Sequence, residues 1–187
     1  MSARSRRALG MVAAIFLIAS AAVLPAQAAR RFAAGTSERG VKPGLKPPEF
    51  SLKDLQGKRQ SFAQYKGDVI LLHFWATWCP YCRAEIPKLT RIHKELGDKG
   101  VTILSVSVDQ NESKLRSFVD SKHIPYVVIP DVAQDFQMAS EYAIAGVPVT
   151  YVIGRDGRIV TRLMGGGDLY GFIESLSQSS AAKSTDG

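Results

Sequence analysis

Seven residues, Val69-Ile70-Leu71-Leu72-His73-Phe74-Trp75, form an almost unbroken apolar run that ends just before Cys79-Pro80-Tyr81-Cys82, and these are the only two cysteines of the chain. A short apolar run of this kind reads as a buried central strand. The stretch from Pro80 to about Leu96 places Ile86, Leu89 and Ile92 at helical spacing and stops before Gly97, so it reads as a helix. A strand that delivers Cys-x-x-Cys to the first turn of a helix has the geometry of a dithiol/disulfide exchange site. Cys79 then falls near the helix N-cap, and Pro80 at the first helical position, where its missing N–H is harmless. The free N–H groups and the positive helix end favour a thiolate on Cys79. Cys82, one turn further in, is placed to attack a mixed disulfide formed on Cys79. A pair that merely stapled the fold would seldom be two residues apart, because so short a loop gains little closure entropy.

The remaining pattern surrounds this centre with strands and helices. Phe50-Ser51-Leu52 and Arg59-Gln60-Ser61-Phe62 flank Asp54-Leu55-Gln56-Gly57, a hairpin signal. Val101 to Val108 is a second apolar strand, and Asn111-Glu112-Ser113 opens a helix carrying Leu115, Phe118 and Val119. Tyr126 to Ile129 reads as a short strand and Ala133 to Tyr142 as a short helix. Thr150 to Ile153 and Ile159 to Leu163 are strands joined by the tight-turn residues Gly154-Arg155-Asp156-Gly157, before a last helix over Leu169 to Leu176. The expectation is one α/β domain over 48–177, a mixed central sheet flanked by helices, with an N-terminal hairpin and a central helix-strand insertion.

The ends are expected to lie outside that domain. Arg4, Arg6 and Arg7 precede an apolar stretch from Ala8 to Leu24, and Pro25-Ala26-Gln27-Ala28-Ala29 follows. This is the layout of a secretory signal over 1–28, with cleavage expected after Ala28. The apolar length also sits at the lower edge of what spans a bilayer, so an uncleaved membrane anchor is the alternative. Residues 29–47 read as a flexible linker and 178–187 as a disordered tail. Removing the leader's three arginines from the formal charge of +7 leaves +4, with basic residues scattered among acids rather than striped, which argues against a nucleic-acid partner. Export would put the thiol pair in an oxidising compartment.

The segments Pro48-Glu49-Phe50-Ser51-Leu52, Phe74 to Pro87, Tyr142 to Thr150 and Asp156-Gly157-Arg158-Ile159 together resemble the thioredoxin superfamily. Within it they are similar to the exported TlpA/ResA-like thiol-disulfide oxidoreductases, which include cytochrome c maturation reductases. The resemblance implies a thioredoxin-like fold and a redox disulfide between Cys79 and Cys82, with no cofactor. It implies a cis peptide at Pro148, against the cysteines, that leaves the backbone at Val147 free to pair with a substrate chain. Glu85, three residues after Cys82 and on the same helix face, matches the family's acidic residue and would take the proton from Cys82. Trp78, Pro80 and Tyr81 would border the substrate, Trp78 as an apolar rim, while Trp75 belongs to the core. Two departures stand out. His73 occupies a position where thioredoxins proper carry a buried Asp: it either tunes the thiols as a coupled system or points away and packs neutrally. Pro80-Tyr81 is the pair found in glutaredoxins, which leaves the direction of electron flow open.

The implied activity is periplasmic reduction of disulfides in exported proteins, such as apocytochrome c or copper-site assembly proteins, with electrons from a membrane thiol donor. A net oxidant or isomerase, and a copper-binding module using the same cysteines, are the alternatives. A closed zinc site wants four ligands, which two cysteines without a second cluster do not supply. A peroxidatic Pro-x-x-x-Thr-x-x-Cys is absent, because Thr77 and Cys79 have the wrong spacing.

Overall fold

The computed structural model describes residues 40–165 and 168–179. The expected signal or anchor over 1–28, the first part of the linker and the tail beyond Ser179 lie outside the described residues. In chain order the domain runs β1 (Leu52–Lys53), β2 (Arg59–Gln60), β3 (Val69–Trp75), α1 (Pro80–Leu96), β4 (Val101–Ser107), α2 (Glu112–Ser121), β5 (Val127–Pro130), α3 (Gln137–Glu141), β6 (Val149–Ile153), β7 (Ile159–Leu163) and α4 (Leu169–Ser179). Among the described residues no helix is long and apolar enough to cross a membrane.

The larger sheet has the order β5-β4-β3-β6-β7. β3, β4 and β5 are parallel, while β6 and β7 join antiparallel, which makes the mixed sheet of a thioredoxin-like fold. All seven residues of β3 are buried, as a central strand covered on both faces requires. Its odd-numbered side chains, Val69, Leu71 and Trp75, join the apolar cluster under α1, α2 and α4. Its even-numbered ones, Ile70, Leu72 and Phe74, pack on the opposite face with Phe50, Leu52, Met138 and Tyr142.

α1 is held down by one stripe: Cys82, Ile86, Leu89, Ile92 and Leu96 are all buried. Each fully buried Leu or Ile contributes about 1.5–3 kcal/mol. That stripe carries the helix through Pro87, which sits inside α1 rather than ending it and removes only the bond its N–H would have made to the Arg83 carbonyl. α2 starts as expected, with Asn111 Oδ1 accepting the Lys114 N–H at 2.9 Å.

Three segments differ from the expectations. Residues 40–47 are bonded into the domain rather than left as a tether: the Gly44 N–H donates to the Ile159 carbonyl and the Ile159 N–H to the Leu45 carbonyl. α4 runs to Ser179, with Ser177 buried, so the domain extends past 177. The single helix expected over Ala133 to Tyr142 is split into a 3-10 turn at Asp131–Gln134 and the short α3, with Asp135 and Phe136 left-handed between them. The cause is Asp131. Its buried carboxylate accepts the Met138 N–H at 3.1 Å and the Ala139 N–H at 2.8 Å, so it caps a new helix start instead of allowing one continuous helix. Asp131→Ala should leave both donors unsatisfied and lower the unfolding free energy by about 1–3 kcal/mol, measured by urea denaturation.

Candidate active site

The first turn of α1 is built on Cys79. This residue is the N-cap, in extended conformation, and its Sγ accepts the Cys82 N–H at 3.2 Å. Pro80 follows at the first helical position, where it needs no donor. On its other side Cys79 Sγ lies 3.6 Å from the Val147 carbonyl oxygen, and the Val147–Pro148 peptide is cis, as the resemblance implied. Gly165, with φ of +62°, brings its backbone over that proline, and a Cβ there would sit 3.5 Å from Pro148 Cγ.

Both cysteines are free thiols and both are recessed: Cys79 keeps 4 % of its surface and Cys82 none. Around them the large side chains stand in solvent, with Trp78 66 %, Tyr81 77 % and Met164 66 % exposed. Trp75 is core, as expected. Burial pushes the Cys82 thiol well above its ordinary range; the Cys79 contact and the nearby Glu85 charge act the same way, and a backbone hydrogen bond at Ala76 opposes them.

Glu85 is mostly covered but opens onto a groove of about 580 Å³ that also touches Tyr81, Lys88, Val147, Pro148 and Met164. The structure therefore brings Glu85 and the cis-proline to one depression beside the thiols. A second cavity, of about 380 Å³ and lined in part by Phe62, Tyr65, Asp68 and Arg155, has neither cysteine in its walls. Of the two orientations open to His73, the structure takes the one toward α1. The ring is 1 % exposed, with Nε2 3.3 Å from Glu85 Oε2 and Nδ1 3.4 Å from Ser105 Oγ. The Glu85 contact is at ion-pair distance without hydrogen-bond alignment. Among the described residues no group of three or more His, Cys, Asp or Glu side chains is placed to hold a metal.

Asp109 is a residue beside the site that sequence reasoning missed. Just past the end of β4, its Oδ2 accepts the Thr77 N–H at 2.9 Å and the Ser107 hydroxyl at 2.7 Å, while Oδ1 accepts the Thr77 hydroxyl at 2.6 Å. This carboxylate clasps the loop that carries Trp78 and Cys79. The only signal for it in the sequence is an acid directly after an apolar strand, which by itself does not point to a residue 32 positions away.

A thioredoxin-like sheet that presents a recessed dithiol on a helix N-terminus, faced by a cis-proline, defines a thiol-disulfide oxidoreductase. Residues 43–162 match the AhpC/TSA family model, and the chain belongs to that family. It is 34% identical over 124 residues to the thioredoxin-like protein YneN of Bacillus subtilis, covering 65% of this chain and 71% of that one. It is 30% identical over 128 residues to the thiol-disulfide oxidoreductase ResA of the same organism, covering 68% and 70% respectively. The crystal structure of the thioredoxin domain of a thiol-disulfide oxidoreductase from Bacteroides vulgatus superimposes with a TM-score of 0.66 at 28% identity, covering 73% of this chain and 98% of that chain.

Because burial holds Cys82 protonated, iodoacetamide at pH 7 should label Cys79 alone in the folded reduced chain. Cys82 should become reactive only as the solution is made strongly alkaline or the protein unfolds, as read by mass spectrometry of the digested chain. Equal labelling of both cysteines at pH 7 would contradict the burial order.

Proposed function

We propose that this chain works outside the cytoplasm as a reductant of disulfides in exported proteins. The Cys79 thiolate attacks the substrate disulfide, Cys82 resolves the mixed disulfide, and Glu85 receives the Cys82 proton. The observation that carries this reading is the position of Cys79 Sγ, 3.6 Å from the carbonyl of Val147. A substrate strand lying along residues 146–148 would bring its own sulfur to Cys79 while pairing with backbone, with Trp78, Pro80 and Tyr81 at its border. The N-terminal basic-then-apolar pattern supports export, as a cleaved signal or as an anchor that keeps the domain at the membrane. Electrons would come from a membrane thiol donor, because the periplasm has no soluble reductant buffer. Apocytochrome c and copper-site assembly proteins are the substrate classes that fit, and neither a cofactor nor nucleic acid enters the scheme.

The purified chain, equilibrated in thiol/disulfide buffers and followed by tryptophan fluorescence, should give a potential near or below about −230 mV; a value near about −120 mV would reverse the direction. Cys79→Ser should abolish disulfide reduction, and Cys82→Ser should accumulate mixed disulfides with partners on non-reducing gels. Equal trapping by the two variants would overturn the assigned order of attack.

A further inference from the structure

Ser105, His73 and Thr150 stand abreast on β4, β3 and β6, in register, on the sheet face beneath α1. They are 1, 1 and 5 % exposed, and along the three strands on that face their neighbours Leu71, Trp75, Ile103 and Val152 are apolar, while Ser107 is polar and donates to Asp109. A polar row in such surroundings costs several kcal/mol unless its groups find partners. His73 finds Ser105 on one side and, on the other, the carboxylate of Glu85, which its Nε2 approaches at 3.3 Å. The groups near this pair come from α1, β4, β6 and the residue before β5. α1 contributes Cys82, one turn before Glu85, and Lys88 on the groove side. The Tyr126 phenol, just before β5, feels the Glu85 charge, and burial keeps it protonated. β4 and β6 contribute the neutral hydroxyls of Ser105 and Thr150. Glu85 thus touches His73, feels Cys82 and opens onto the groove.

We propose that His73 is a positioning residue acting through Glu85, the imidazole and carboxylate forming one proton-accepting unit for Cys82. This rests on the oxidoreductase chemistry assigned above. In the second step the Cys82 S–H bond breaks, the Cys79–Cys82 bond forms, and the bond from Cys79 to the substrate sulfur breaks with its electron pair leaving on the substrate thiolate. The proton passes to Glu85 and is shared with His73. A lone carboxylate is a weak base at neutral pH, whereas a carboxylate backed by an imidazole nitrogen at 3.3 Å can spread the proton over two acceptors. The imidazolium–carboxylate end state is neutral overall, so mutual attraction offsets the cost of keeping the charges buried.

The reduced full chain mixed with 5,5′-dithiobis(2-nitrobenzoate) releases one chromophore when Cys79 attacks and a second when Cys82 resolves, so stopped-flow absorbance separates the two steps. His73→Asn should slow the second release about tenfold at pH 7 and flatten its rise with pH, the slowing being confined to that step. Glu85→Gln should do the same, and the double variant should be no slower than the slower single one, as expected of one shared unit. A normal second release in His73→Asn, slowing of both steps alike, or multiplying effects in the double variant would overturn the proposal. Should His73→Asn fail to fold, the unaltered chain decides. It has three histidines, so imidazole ¹⁵N spectra can isolate His73. Its protonation should differ between dithiol and disulfide forms at pH 7, and an identical ring in both forms would refute the unit. A potential near about −120 mV would overturn the reductant reading alone and leave this test unchanged.

Discussion

The burial of one stripe of α1 against the odd-numbered face of β3 sets the position of everything chemical in this protein. Cys82, Ile86, Leu89, Ile92 and Leu96 share one buried cluster with Leu71, Trp75 and Ile103, and burying that stripe fixes the helix in rotation as well as in place. With the rotation fixed, Cys82 has no freedom to be anything but buried, and Cys79 must fall at the lip where the strand becomes the helix. Glu85 lies on the margin of the same stripe, so one carboxylate can reach both the interior histidine and the groove. The Asp109 clasp and the cis-proline segment then close on this arrangement from two sides.

Such a core carries more polarity than its packing needs. His73, Ser105, Thr150 and Asp109 are each at most 5 % exposed, so each has given up water and depends on partners inside the protein. They lie within or beside the layer between sheet and α1, near the end of β3 that leads to the cysteines. Asp131, fully buried, is spent on backbone geometry, where it starts α3.

Much of this could be read from the chain because it is local. β3 and α1 have their expected bounds, since an unbroken apolar run and a helical period ending at Gly97 are strong signals within a few residues. Cys79, Cys82, Glu85 and Pro148 could be located by motif, and the structure brings them together. What stayed hidden depends on contacts between distant segments. The capture of Met138 and Ala139 by Asp131 breaks a helix that periodicity alone would have kept whole, and the bonds from Gly44 and Leu45 to Ile159 dock a stretch of Gly, Pro and Lys that carries no period of its own. The orientation of His73 was half legible. Strict alternation places it with Leu71 and Trp75, but on a strand buried on both faces nothing in the sequence says which face holds the thiols.

The contrast between a recessed sulfur and its projecting neighbours has a consequence for selectivity. Two aromatic rings and a thioether grip by contact area and by adapting their shape, and they offer few directional groups with which to read one side chain against another. The directional contact available beside Cys79 is a backbone carbonyl, and any polypeptide can answer it. A surface of this kind discriminates among conformations more than among sequences. In the proposed reaction a cysteine presented on an extended, mobile stretch would thread down to the sulfur, while the same cysteine on a rigid, folded surface would be turned away by the rim, so how far a partner has folded would decide whether it is served.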